Sequence, residues 1–211
     1  MKITWLGHAS FLIETATASI VTDPFDESTG YRVPNVSADL VTVSHQHYDH
    51  NAVGTVRGNP RVVSEPGVTR FGEIEIKGIK TFHDKNLGRD RGENLVFVIK
   101  ADGLTVCHLG DLGHVLTPDQ LQAIGQVDFL LVPVGGTYTI SAEEARTIVS
   151  LLAPRVAIPM HFKTPPCTIR LTPVESFTMH YDRVAKLPYL DLAERDLNLL
   201  PEVVVLDYSY I

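Results

Sequence analysis

Three histidines and an aspartate fall within six positions of the segment Ser44–Asn51, S-H-Q-H-Y-D-H-N. Neutral imidazole is a good ligand for zinc and its neighbouring divalent metals, and a carboxylate adds a hard, negative donor. The segment therefore reads as the centre of a metal site. The run before it, Ala38 to Val43, is short and β-branched, as a buried strand is. In extended backbone, side chains two apart point the same way, so His45 and His47 converge on one point and Asp49 continues that side. If the chain turns into a helix near Asn51, His50 swings round to face a second point, a spacing that suits two metals rather than one.

The pattern H-x-H-x-D-H at a strand end resembles the signature of the metallo-β-lactamase superfamily, and matches to its remaining ligands lie further along. They are F-H-D-K around His83, C-H-L-G-D-L-G-H around Asp111 and I-P-M-H-F-K around His161. The wording W-L-G-H-A-S-F-L-I-E, V-T-D-P-F and H-L-G-D-L-G-H is similar to the lactonase and phospholipase-D-like branch, which includes ascorbate-6-phosphate lactonase. The resemblance runs from Trp5 to about Lys163. It implies one metal on His45, His47 and His83, another on Asp49, His50 and His161, and Asp111 bridging them.

With 211 residues and 44% hydrophobic composition, the chain can bury a sizeable core and reads as one domain, 1–211. Its 25 acidic and 18 basic residues leave a formal charge of -7, which argues against a nucleic-acid backbone as partner. No apolar run reaches membrane-spanning length and no signal-peptide pattern opens the chain, so the expectation is a soluble cytoplasmic protein without membrane insertion, acting on a small molecule. Oligomeric state is not legible. Cys107 and Cys167 form no Cys-x-x-Cys pattern and read as core and loop filler.

Strands are expected at Lys2–Leu6, Ser10–Glu14, Ser19–Thr22 and Leu40–Val43, followed by two pairs, Arg61–Ser64 with Gly72–Ile79 and Asn94–Ala101 with Leu104–Leu109. Asp102-Gly103 marks a hairpin that delivers the chain to Gly110 and Asp111. Capping-box patterns begin helices at Thr117, Ser141 and Thr172, with strands at Val127–Val134 and Val156–Pro159 between them. The polar loop Phe25–Ser37 is either a cover over the site or an ordinary connection. After Arg183 the pattern is weak until a strand at Val203–Tyr208. Strands first, then strands alternating with helices, suggest an α/β protein of layered sheets. The resemblance makes this the four-layer αβ/βα sandwich with metals at one edge.

The function implied is a metal-dependent hydrolase in which two divalent ions supply a hydroxide to attack an ester, lactone or phosphodiester. Zinc is the default, with manganese, nickel or iron as alternatives. Asp49 is the candidate to orient the water or pass a proton. His8 reads as support for a ligand, as leaving-group acid or as structural, and His114 as a substrate contact or structural. His108 reads as packing. The resemblance assigns Asp23 to supporting the metal loop, and Gly135, Gly136 and Tyr138 end a strand at the expected pocket. Lys85, Arg89 and Arg91 after His83, and Lys163 after His161, suggest an anionic ester or lactone, although Asp84, Asp90 and Glu93 also fit a solvated charged loop. Two alternatives stay open: a mononuclear iron oxygenase of the persulfide dioxygenase kind, and a metal-binding module without turnover.

Overall fold

The computed structural model describes residues 1–193 and 197–208. Its strands in chain order are β1 Lys2–Gly7, β2 Ser10–Glu14, β3 Ser19–Thr22, β4 Leu40–Thr42, β5 Arg61–Val63, β6 Gly67–Phe71, β7 Ile74–Phe82, β8 Glu93–Ala101, β9 Leu104–His108, β10 Phe129–Pro133, β11 Val156–Met160, β12 Val184–Leu187, β13 Leu190–Asp191 and β14 Val203–Leu206. The helices are α1 Pro118–Ile124, α2 Ala142–Leu152 and α3 Glu175–Thr178. One sheet runs β13-β1-β2-β3-β4-β5 and the other β12-β14-β11-β10-β9-β8-β7-β6, both mixed in direction.

The first sheet is apolar on both faces, and the strand period sorts its residues between two cores. Ile3, Phe11, Ile13, Ile20 and Leu40 pack in the larger cluster with the second sheet, where Phe97, Ile99, Phe129 and Leu131 meet them. Their neighbours Leu12, Val21 and Val41 point to the opposite face. There Phe25, Tyr31, Val36 and Leu171 cover them.

The outer layers differ in kind. Helices α1 and α2 lie against β7 and β10 of the second sheet, and both start with the expected capping boxes at Thr117 and Ser141. Over the first sheet, loops and the short 3-10 turn Glu27–Thr29 take the place of an α-helical layer among the described residues. The Phe25–Ser37 loop is therefore core covering. Its Tyr31 hydroxyl accepts a hydrogen bond from Thr164 Oγ1 at 2.6 Å.

Four local expectations are corrected. The Arg61–Ser64 strand pairs with β4, and β7 pairs with β6 and β8, so the chain changes sheets between β5 and β6. Edge strands carry too little pattern to reveal which sheet they join. Thr172 caps no helix: its hydroxyl donates to Gly135 O at 3.0 Å, and α3 begins after Val174 without a side-chain cap. No helix starts at Asn51. The chain instead turns at His50, whose N–H donates to His47 O at 3.0 Å, and a 3-10 turn follows at Val53–Thr55. The final strand stops at Leu206, and residues 194–196 and 209–211 of the weakly patterned tail lie outside the described residues.

Strands β9, β10 and β11 are parallel and in register, so their C-terminal ends stand side by side. Segments leaving those ends share one edge, the usual place for sites in parallel sheets. Ser44, leaving β4, joins them through its carbonyl, which accepts from Leu95 N of β8 at 2.8 Å.

If the Tyr31 loop is core, Tyr31→Ala should cost about 3–5 kcal/mol, the range for deleting a buried aromatic ring. Urea unfolding measures this, and a loss below about 1 kcal/mol would make the loop a loose cover.

Candidate metal centre

Two groups of imidazoles face one another across a carboxylate. His45, His47 and His83 have ligand atoms mutually within 4.8 Å, and so do His8, His50 and His161. Between them, Asp111 Oδ2 lies 3.2 Å from His83 Nε2, 3.3 Å from His50 Nε2 and 3.4 Å from His161 Nε2. Asp49 Oδ2 stands 3.2 Å from His8 Nε2 and 3.7 Å from His50 Nε2. All seven expected ligands thus come together, and His8 joins them inside the second group.

The first group is aimed by a relay that begins at Asp23. Its Oδ1 accepts from Ser44 N at 2.7 Å and its Oδ2 from Ser44 Oγ at 2.5 Å. A carboxylate only accepts, so the single hydroxyl proton of Ser44 goes to Asp23. Ser44 Oγ then accepts from His45 Nδ1 at 2.9 Å, which leaves the His45 Nε2 lone pair facing the site. Asp23 Oδ2 also accepts from His50 Nδ1 at 3.0 Å, turning His50 Nε2 toward Asp111. One buried carboxylate therefore sets the orientation of a ring in each group. This is how metal-binding histidines are usually braced.

Asp111 is placed from the opposite side. Asn94 Oδ1 accepts from its N–H at 2.9 Å, and Asn94 Nδ2 donates to Thr81 Oγ1 and Leu109 O. The turn needs glycine at position 110, which has φ +56° and would put a Cβ 2.4 Å from Asn94 Oδ1. Gly113 passes so near the His83 loop that a Cβ would sit 2.2 Å from Asp84 N. Gly135 gives the same close approach to His161 O. His8 and His161 both have φ 52°, a left-handed conformation that non-glycine residues rarely adopt. The pair is tied together where His161 N donates to His8 O at 3.0 Å.

Burial drives His45 down to about 3, reinforced by His50, and drives His8 down to about 4, reinforced by His161. Burial thus favours the neutral form of both rings, the form in which His45 Nε2 could coordinate a metal. Burial pushes His50 the same way, but the carboxylates of Asp111 and Asp23 outweigh it and raise His50 well above its ordinary value. Burial opposes ionisation of Asp111, yet His161 and His50 hold it well below the carboxylate range. These carboxylates favour positive charge at their centre. Asp111 Oδ1 is buried without a hydrogen-bond partner among the described residues, so the donor set fits a bound cation.

Other expected residues fall elsewhere. Both ring nitrogens of His114 engage backbone, Nε2 accepting from Phe82 N at 3.2 Å and Nδ1 donating to Val115 O at 2.9 Å, a structural role. The Lys163 ammonium donates to the carbonyls of Cys167 and Ile169, and the side chain lines a separate cavity with Trp5 and Phe162. It supplies no charge to the metal cavity because those carbonyls hold it. Tyr138 does line a cavity of about 590 Å³ over the site, together with His47, Asp49 and His161. Buried His108 bonds Ala9 O at 2.8 Å, a packing role. Ser44, Asn94 and Arg170 have no signature in the sequence, because an isolated serine, asparagine or loop arginine carries no spacing signal.

Replacing Asp23 with Asn should leave a folded protein, checked by circular dichroism, with metal affinity lower by about 10- to 100-fold, the usual cost of losing a group that braces ligands. Competition against a chelator measures it. Unaltered affinity would remove Asp23 from the site.

A model of the beta-lactamase superfamily domain matches residues 2–161. A UPF0173 metal-dependent hydrolase of Carboxydothermus hydrogenoformans is 33% identical, with 79% of this chain and 86% of that protein covered. Its counterpart in Pelotomaculum thermopropionicum is 34% identical over the same shares, 79% and 86%. The crystal structure of a Thermotoga maritima protein, assigned by inference as a Zn-dependent hydrolase of the metallo-beta-lactamase superfamily, aligns with a TM-score of 0.82 at 47% identity over 97% of each chain. The two-sheet scaffold, the convergent imidazoles and these likenesses agree: the chain belongs to the metallo-β-lactamase superfamily and, within it, to the UPF0173 metal-dependent hydrolases.

Proposed function

We propose that the chain is a hydrolase of the lactonase and phospholipase-D-like branch that uses two divalent ions, zinc by default, to cleave an ester, lactone or phosphodiester in a small molecule. The observation that carries this reading is the position of Asp111 Oδ2, within 3.4 Å of imidazoles from both histidine groups. His45, His47 and His83 would hold one ion, and Asp49, His50 and His161 the other, with Asp111 between. Such a pair would supply Lewis acidity there, lowering the pKa of bound water toward neutral and polarising a carbonyl or phosphoryl oxygen.

The chain's own groups prepare that step. Asp49 lines the cavity, and although burial opposes its ionisation, the bond from His8 and the nearby His50 hold it below its usual range. A carboxylate held so firmly ionised orients a water by accepting its hydrogen bond more readily than it stores the proton. His8 in turn fixes Asp49. Cys107 is buried in β9 and Cys167 is buried as well, and this chemistry needs no thiol or hydroxyl nucleophile.

Elemental analysis of the purified protein should give two divalent ions per chain. Asp49→Asn should keep both the fold and the hydrolytic specificity while lowering kcat by about 10²- to 10⁴-fold, the range for a positioned acid-base group. A single iron per chain with oxygen consumption would replace this reading with a dioxygenase. Full metal occupancy without turnover across esters, lactones and phosphodiesters would make the chain a binding module.

A further inference from the structure

Two arginines, Arg91 and Arg170, line the cavity over the candidate metal centre. Among the described residues neither forms an ion pair, whereas Lys85 is paired with Glu144 at 2.6 Å. That contrast matters in a chain whose formal charge is -7. Unpaired arginines beside a reaction centre in an acidic protein create a local positive field.

Both stand on braced loops. Asp84, next to His83, points its carboxylate inward: Oδ1 accepts from Asn86 N at 2.7 Å and Gly88 N at 2.9 Å, and Oδ2 from Asp90 N at 3.0 Å and Arg91 N at 2.8 Å. Asp84 thus folds the loop and leaves the Arg91 guanidinium unneutralised. That guanidinium lies 4.9 Å from the centre of the Tyr138 ring, a cation-π contact that fixes its direction. On the other loop, Thr168 N donates to Thr29 O and Thr168 Oγ1 to Ser28 O, both at 3.0 Å. Together with the Lys163 contacts, these bonds hold the segment leading to Arg170.

We infer that Arg91 and Arg170 form an oxyanion-binding wall, so that the substrate carries a carboxylate or phosphate group distinct from the bond that is cleaved. The inference rests on the hydrolase reading and names its substrate class. A planar guanidinium presents paired N–H donors that match either oxyanion. Of the cations expected from sequence, only Arg91 lines the cavity; exposed Arg89 does not, and Lys85 and Lys163 are held elsewhere.

The test uses the metal-loaded protein and size-matched esters and lactones that are neutral, carboxylated or phosphorylated away from the scissile bond. The wild type should prefer at least one anionic form in kcat/KM by about 10- to 100-fold, the range for charge-assisted hydrogen bonds, and the favoured form identifies the group. The preference should collapse in the Arg91→Gln, Arg170→Gln double variant and persist in Arg89→Gln, which removes the same charge nearby. Turnover without any anionic preference, or a preference indifferent to the double variant, overturns the inference and leaves the hydrolase reading intact. If nothing in the panel turns over, calorimetric titration with inorganic sulfate decides. Binding that depends on the two arginines supports the wall while hydrolysis falls, and equal binding in both proteins overturns it.

Discussion

The centre depends on the buried carboxylate of Asp23. Its oxygens accept from Ser44 and His50, and through Ser44 the direction of His45 is set as well. Rings in both histidine groups therefore take their aim from one side chain that sits behind them. Its ionisation is opposed by burial and secured by His108 and His50. Such a group is costly to bury and holds its place because both of its oxygens accept hydrogen bonds, one from Ser44 N and the other from Ser44 Oγ and His50 Nδ1.

The sandwich is what makes that convergence affordable to the fold. Histidines separated by more than a hundred residues meet because β4, β9, β10 and β11 end at one edge and hand their chains to short, tightly turned segments. Glycines at 110, 113 and 135 let those segments approach within distances that a Cβ would forbid. His8 and His161 accept left-handed backbone to complete the cluster. Local strain of this kind persists where surrounding packing over-determines it, here between two sheets and their covering loops.

Charge is partitioned across the same edge. Acidic residues outnumber basic ones, 25 to 18, yet the buried carboxylates of Asp84 and Asp23 are consumed by backbone and imidazole donors. The cavity above the histidines keeps Asp49 and Asp111 at its base and arginines on its wall. Net charge alone describes neither part. A global count argues only about bulk association, while recognition follows the local field.

By itself the sequence determined which residues could bind metal, because H-x-H-x-D-H and the later histidines and aspartate are rare in type and order, and most strands, because their β-branched runs are bounded by turn residues. It also marked the Asp102-Gly103 hairpin, whose positive φ angles of 53° and 73° fit that dipeptide. Only the tertiary structure decided that His8 belongs with His50 and His161, that Ser44 and Asn94 brace His45 and Asp111, that β5 and β6 lie in different sheets, and that Arg170 lines the cavity while Lys163 does not. The physical reason is the range of each determinant. Backbone propensity and motif spacing act within a few residues, whereas a hydrogen bond or a shared cavity joins atoms close in space and far apart in the chain.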